Sequence, residues 1–182
     1  VKGGQANAIG DGNDAYGHFT QSVGDDNKVY ADHSLGYGAH NKVGAQRAKG
    51  TPEKDVVVDK NTSKESVFGL NNVVLGKEVL ALGNNNNVNG ENSTAIGTQS
   101  TADGINTLAI GTGAKAHVTN TAAANSNKPG NLVAIGTSAE ATAAETVAIG
   151  QAAKASGQNS NAYGSQANAS GTSSLAVGTG SV

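Results

Sequence analysis

Cysteine, methionine and tryptophan are absent from the 182 residues, and only two Phe and four Tyr are present. Without cysteine there are no disulfides and no thiolate metal sites, which suits an exported protein without assigning a compartment. With aromatics at 3%, large side chains cannot fill a thick interior, so any core is thin and built from small residues. No apolar run approaches the ~20 residues of a membrane-spanning helix, and no charged-then-apolar signal opens the chain. Direct membrane contact is therefore not expected of this segment. Charge is nearly balanced, at −2 with a pI near 6.1, which gives no support for nucleic acid as a partner.

What is abundant is glycine, with 26 residues, alongside much Asn and Ser. That composition alone is compatible with disorder, so periodicity has to decide. The stretch ENSTAIGTQSTADG at 91–104 is followed by INTLAIGTGAKAHV, NLVAIGTSAEATA, ETVAIGQAAKASG, NSNAYGSQANASG and TSSLAVGTGSV. Glycines preceded by an aliphatic or aromatic residue fall at Gly10, Gly17, Gly24, Gly36, Gly69, Gly76, Gly83, Gly97, Gly111, Gly136, Gly150, Gly164 and Gly178. The step is 14 from Gly83 to Gly111 and again from Gly136 to Gly178, and it halves to 7 in the earlier part. Self-similarity at a fixed period marks a solenoid. The pattern is already running at Val1 and still running at Val182, as in a segment of something longer.

Within each unit the order before the glycine is large, small, large, as in Leu108-Ala109-Ile110 and Val147-Ala148-Ile149. A period of two makes these short strands with two distinct faces. A second alternation follows the glycine, as in Ala139-x-Ala141 and Ala153-x-Ala155. Each 14-residue coil therefore reads as strand, turn, strand, turn, and the fold as an all-β parallel β-roll. Coils stacked at about 4.8 Å give roughly ten turns and a rod of about 5 nm. Only Ala fits consistently between the two sheets of a coil, which places the larger column on the outside. A continuous aliphatic stripe needs a cover, and the economical one is another copy of the chain.

The segment Asn92-Ser93-Thr94-Ala95-Ile96-Gly97-Thr98-Gln99-Ser100 resembles the repeat of the YadA-like head of trimeric autotransporter adhesins, Asn-Ser-Val-Ala-Ile-Gly-x-x-Ser, with Thr94 in place of Val. Asn106–Gly111 and Asn159–Gly164 resemble it more loosely. The resemblance implies a left-handed roll and a homotrimer displayed on the surface of a Gram-negative bacterium, anchored in the outer membrane through regions outside this segment. The trimer interface would take Ile96, Leu108, Ile110, Val133, Ile135, Val147, Ile149, Tyr163, Leu175 and Val177. The implied function is adhesion to collagen, fibronectin or laminin, or to a host receptor such as a carcinoembryonic-antigen-related adhesion molecule. In some family members the nine-residue motif is linked to collagen binding, which makes Asn92, Ser93, Ile96, Gly97 and Ser100 candidate contacts. Turn, core and strand-end requirements of the fold also account for each of those residue types.

Residues 1–182 read as a single domain with irregular insertions at about 41–66 and 117–130. The first holds six of the twelve basic residues, Lys42, Arg47, Lys49, Lys54, Lys60 and Lys64. An insertion into a solenoid leaves as a loop, often on the binding face, so these six are candidate contacts for a globular partner. The second is small, polar and punctuated by Pro129-Gly130. None of His18, His33, His40 or His117 has a neighbouring ligand pattern, so no metal and no cofactor are assigned.

Among alternatives, a calcium-binding nonapeptide β-roll would explain GDGND at 10–14 but needs a period of nine. A hexapeptide-repeat acyltransferase needs a step of six, and an ice-binding solenoid needs a flat threonine array. A purely structural surface spacer is the remaining competitor. No nucleophile–base or carboxylate pair is set by the repeat, so no enzymatic activity is expected.

Overall fold

The computed structural model describes residues 4–46, 57–58, 63–118 and 130–182. Period-two segments too short to stand alone gain stability by pairing with their own copies one coil on, and the strands do pair in this way. Twenty of them join in one continuous parallel sheet wound into about ten coils, and no helix occurs among the described residues. One ladder runs through Asn7–Asp11, Gln21–Asp25, Leu35–Ala39, Ser63–Leu70, the second half of Val73–Asn84, Thr94–Thr98, Thr107–Ile110, Leu132–Ile135, Val147–Ile149, Asn161–Tyr163 and Leu175–Val177. The other carries the shorter strands, from Asp14–Ala15, Lys28–Val29 and Lys42–Val43 to Lys154–Ala155 and Asn168–Ala169. We call them the long-strand and short-strand ladders.

The alternation places the small residues inside. Ala95, Ala109, Ala134, Ala148 and Ala162 of one ladder, and Ala102, Ala116, Ala141 and Ala155 of the other, are fully buried. The expectation that only Ala fits is corrected in the N-terminal coils, where Val29, Val43, Val67, Val74 and Val88 are equally buried. Size is exchanged across the gap: a Cβ on Gly36 would sit 2.7 Å from Val29 Cγ2.

Gly36 is therefore a core position rather than a strand-end glycine. Its register partners are Ser22 and Val67, whereas Gly38 pairs with Gly24 and Gly69. The apparent step of 7 also dissolves: the coil is 14 residues in the N-terminal part too, with Ile9 opposite Val23 and Ala15 opposite Val29. The two ladders alternate alike, so half-coils resemble each other in sequence. The strand-end glycines are required by geometry. At Gly83, φ is +114° and a Cβ would meet Gly97 O at 2.0 Å, so no side chain fits where successive coils touch.

The corner between the ladders is closed in two ways. From Asn13 to Ser100 a buried carboxamide ladder does it. Asn41 Nδ2 donates to Gly69 O at 2.7 Å and to Asn27 Oδ1 at 2.8 Å, while Asn41 Oδ1 accepts from the Asn72 backbone N–H at 3.0 Å. Asn72 and Asn86 continue the series, and Ser100 ends it by donating to Asn86 Oδ1. Beyond Ser100 the position becomes Ala114, Ala139, Ala153 and Ala167, and the backbone closes a tight turn instead, Ala139 N–H donating to Gly136 O at 3.2 Å and Ala153 N–H to Gly150 O at 3.3 Å. The long strands shorten accordingly, from five residues at Thr94–Thr98 to three at Val147–Ile149.

Two jumps in register interrupt the stack. Gly38 pairs with Gly69, 31 residues on instead of 14, and Thr107 pairs with Leu132, 25 residues on. The roll retains Asn41, Lys42 and Val43 and resumes at Ser63, which bridges to Asp32 and pairs with Lys77. Between these points Ala45–Gln46 pairs antiparallel with Val57–Val58. By register Ser63 and Gly130 hold the same place in the coil, so the extra residues of both interruptions leave from one corner. The exits lie four coil steps apart, about 19 Å at the strand spacing.

Candidate functional site

Two ladder faces and two corners make up the outer surface of this winding. On the long-strand ladder, Ile96, Ile110, Ile135, Ile149, Tyr163 and Val177 stand in one register column. Leu108, Val133 and Val147 stand in a second column beside it. These side chains point outward because their Ala neighbours point in. Ile96, Leu108, Ile110, Val133, Ile135 and Val147 are half-buried, while Ile149 and Tyr163 are just over a third exposed and Leu175 and Val177 reach 65%. Further along the first column, Tyr37 and Phe68 stack at 5.3 Å. Nothing among the described residues covers this apolar face.

The short-strand ladder presents the opposite chemistry. Its outer column runs Asp14, Lys28, Lys42, Val73, and further along Glu140 lies between Lys115 at 3.4 Å and Lys154 at 3.7 Å. Tyr16 and Tyr30 stack at 4.9 Å. Burial, and then the charge of Asp14, pushes the Tyr30 hydroxyl above its usual range.

Both corners carry columns of non-glycine residues at positive φ. At the corner where the insertions leave, the column includes Lys64, Glu78, Asn92, Asn106 and Asn131. Asn tolerates this conformation better than most residues. Asn92 Nδ2 donates to Asn106 Oδ1 at 3.3 Å, and Asn106 Nδ2 to Asn131 Oδ1 at 3.1 Å. Lys64 Nζ meets Glu78 Oε1 at 2.9 Å, and this hydrogen bond, then the lysine's charge, holds the Glu78 carboxyl below its usual range.

The nine-residue motif does not form one surface. Asn92 is exposed on the corner, and Ile96 lies on the apolar face. Ser93 and Ser100 are fully buried, Ser93 Oγ donating to Gly104 O at 2.7 Å. Gly97, at φ +137°, is a strand-end glycine. Among the candidate basic residues, Lys42 stands on the short-strand ladder and Lys64 on the corner, so they are not neighbours. Arg47, Lys49, Lys54 and Lys60 lie outside the described residues. Sequence reading missed the surface where Lys28, His40 and Lys42 meet, because only the coil register brings those positions together.

Among the described residues no group of three His, Cys, Asp or Glu could hold a metal ion, and no helix is long and apolar enough to cross a membrane. His18 Nδ1 accepts from the Gly4 N–H, His33 stacks on Phe19, and His40 Nδ1 lies 3.4 Å from Asp26 Oδ2.

No curated protein matches the chain. The family described as YadA head domain repeat (2 copies) matches at residues 76–100, 89–114, 102–124, 133–153, 141–165 and 155–181. These segments together span more than half of the sequence, and they coincide with the coils whose Ala-in, Ile-out alternation and strand-end glycines build the roll. The chain belongs to the YadA head family, a family of non-enzymatic surface adhesins.

Proposed function

We propose that this chain is the ligand-presenting head of a trimeric adhesin, a single left-handed roll displayed on the bacterial surface and anchored in the outer membrane by other parts of the protein. The observation that carries the reading is the apolar face of the long-strand ladder, continuous in register from Ile96 to Val177. Three copies meeting on that face would cover Ile96, Leu108, Ile110, Val133, Ile135, Val147, Ile149, Tyr163, Leu175 and Val177, and would leave the charged ladder and both corners for ligand.

Host matrix proteins (collagen, fibronectin or laminin) and host receptors such as carcinoembryonic-antigen-related adhesion molecules are the proposed partners. A repetitive ligand gains avidity from contacts offered once per coil. For such a fibre the proposed contact is the corner column around Asn92, with Ser93, Gly97 and Ser100 holding it in place. A globular receptor needs a distinctive patch, for which we propose the first insertion with Arg47, Lys49, Lys54 and Lys60, flanked by Lys42 and Lys64.

The test is a binding screen of the purified segment against these ligands, followed by deletion of residues 46–62 with a short Gly-Ser closure. Saturable binding to at least one ligand supports the reading. Loss of binding to a globular ligand in the deletion, with the trimer intact, places the contact on the insertion. Binding to none would reduce the segment to a spacer.

A further inference from the structure

On the side of the roll away from the insertion corner, two columns flank a groove of about 340 Å³ lined by Asp26, Lys28, His40, Lys42, Asn71, Val73 and Asn85. The second positive-φ corner supplies Asp26, His40, Asn71 and Asn85 along one wall, and Lys28, Lys42 and Val73 of the short-strand ladder form the other. Between the walls run Asn27, Asn41, Asn72 and Asn86, whose carboxamides are committed to the buried ladder. The groove therefore rests on the buried carboxamide ladder. It crosses four coils, about 14 Å at the strand spacing, which is the length of two or three linked sugar rings.

Its charge is distinctive. Residues 4–44 hold five Asp against two Lys, yet both lysines lie in this groove, directly in register with each other. Among the described residues Asp26 is the single carboxylate of the lining, 3.9 Å from Lys28 Nζ and 3.4 Å from His40 Nδ1. Amides at Asn71 and Asn85 offer both donors and acceptors, and Val73 adds one apolar contact. Two ammonium groups in register, amide donors and acceptors and a small apolar spot, along a groove with a hydrogen-bonded floor, match an oligosaccharide that carries an anionic group. A free anion would not need the length.

We propose that this groove binds an acidic glycan, with Lys28 and Lys42 on its carboxylate or sulfate and with Asp26, His40, Asn71 and Asn85 on ring hydroxyls. The inference deepens the adhesin reading by naming a ligand class, and of the protein contacts proposed above it shares only Lys42.

The test measures binding of the intact segment to a sialylated trisaccharide, a sulfated disaccharide of the glycosaminoglycan type, and the uncharged lactose core, by calorimetry or an immobilised-glycan assay. The expected result is saturable binding to one acidic sugar and at least tenfold weaker binding to lactose. The sialylated and sulfated arms tell which anionic group is preferred. The double variant Lys28→Gln/Lys42→Gln, which keeps the stems, should lose tenfold or more in affinity at an unchanged melting temperature, while Lys154→Gln on the same ladder should change nothing. Equal binding of charged and neutral sugars, an unaffected double variant, or no binding of any sugar would overturn the inference. In the last case, retained binding to a matrix protein would leave the adhesin reading standing.

Discussion

At the residue scale, the most consequential side chains are ones that present nothing to solvent. Asn27, Asn41, Asn72 and Asn86 are buried because each carboxamide satisfies backbone groups that the corner would otherwise orphan. Asn41→Ala would strand the Asn72 N–H and the Gly69 carbonyl, a cost on the order of 2–4 kcal/mol for unpaired buried groups. The denaturation midpoint should fall clearly, and by more than for Asn13→Ala, at the half-buried start of the ladder. Equal small effects would contradict the ladder's role. In the sequence these residues read only as turn formers, because a carboxamide ladder depends on which coil lies beneath. The exposed Lys64–Glu78 pair makes a smaller claim. Glu78 is held below the usual carboxylate range, so the pair's contribution is present above that range and is lost as pH falls through the depressed value. A carboxyl titration by NMR should show Glu78 moving up toward ordinary values in Lys64→Gln, and an unmoved midpoint would remove the pairing.

At the scale of elements, the alternation of Ala and Ile was legible from the sequence because a period of two sorts faces without knowledge of the partner strand. The buried column Ala95, Ala109, Ala134, Ala148 is the result. The third coil was not legible in the same way. Leu35-Gly36-Tyr37-Gly38 offers two large-Gly pairs two residues apart, and both satisfy that period. Only the stacking of Gly38 on Gly24 and Gly69 separates them. The change from carboxamide ladder to tight turn beyond Ser100 was also hidden, since Ala at that position reads as more core. Both corner types close through backbone and carboxamide hydrogen bonds. Chelator should therefore leave the thermal melting of the rod unchanged. A drop of many degrees would mean that an ion closes the coils, and the calcium-roll alternative would take precedence.

For the whole molecule, the two ladders divide the surface into an apolar face and a charged one, and the adhesin reading depends on what covers the first. Ile110→Asp with Ile149→Asp would set carboxylates against their copies in neighbouring chains, on the order of 3–5 kcal/mol for each unpaired buried charge. The expected outcome is dissociated chains. If the variant assembles as the parent does, that face is not the interface. The most direct measurement is the mass of the unmodified segment by light scattering with size-exclusion chromatography. With 17.9 kDa per chain, a closed threefold assembly gives about 54 kDa. A well-behaved species at the mass of one chain, its apolar ladder open to water, would contradict the trimeric head.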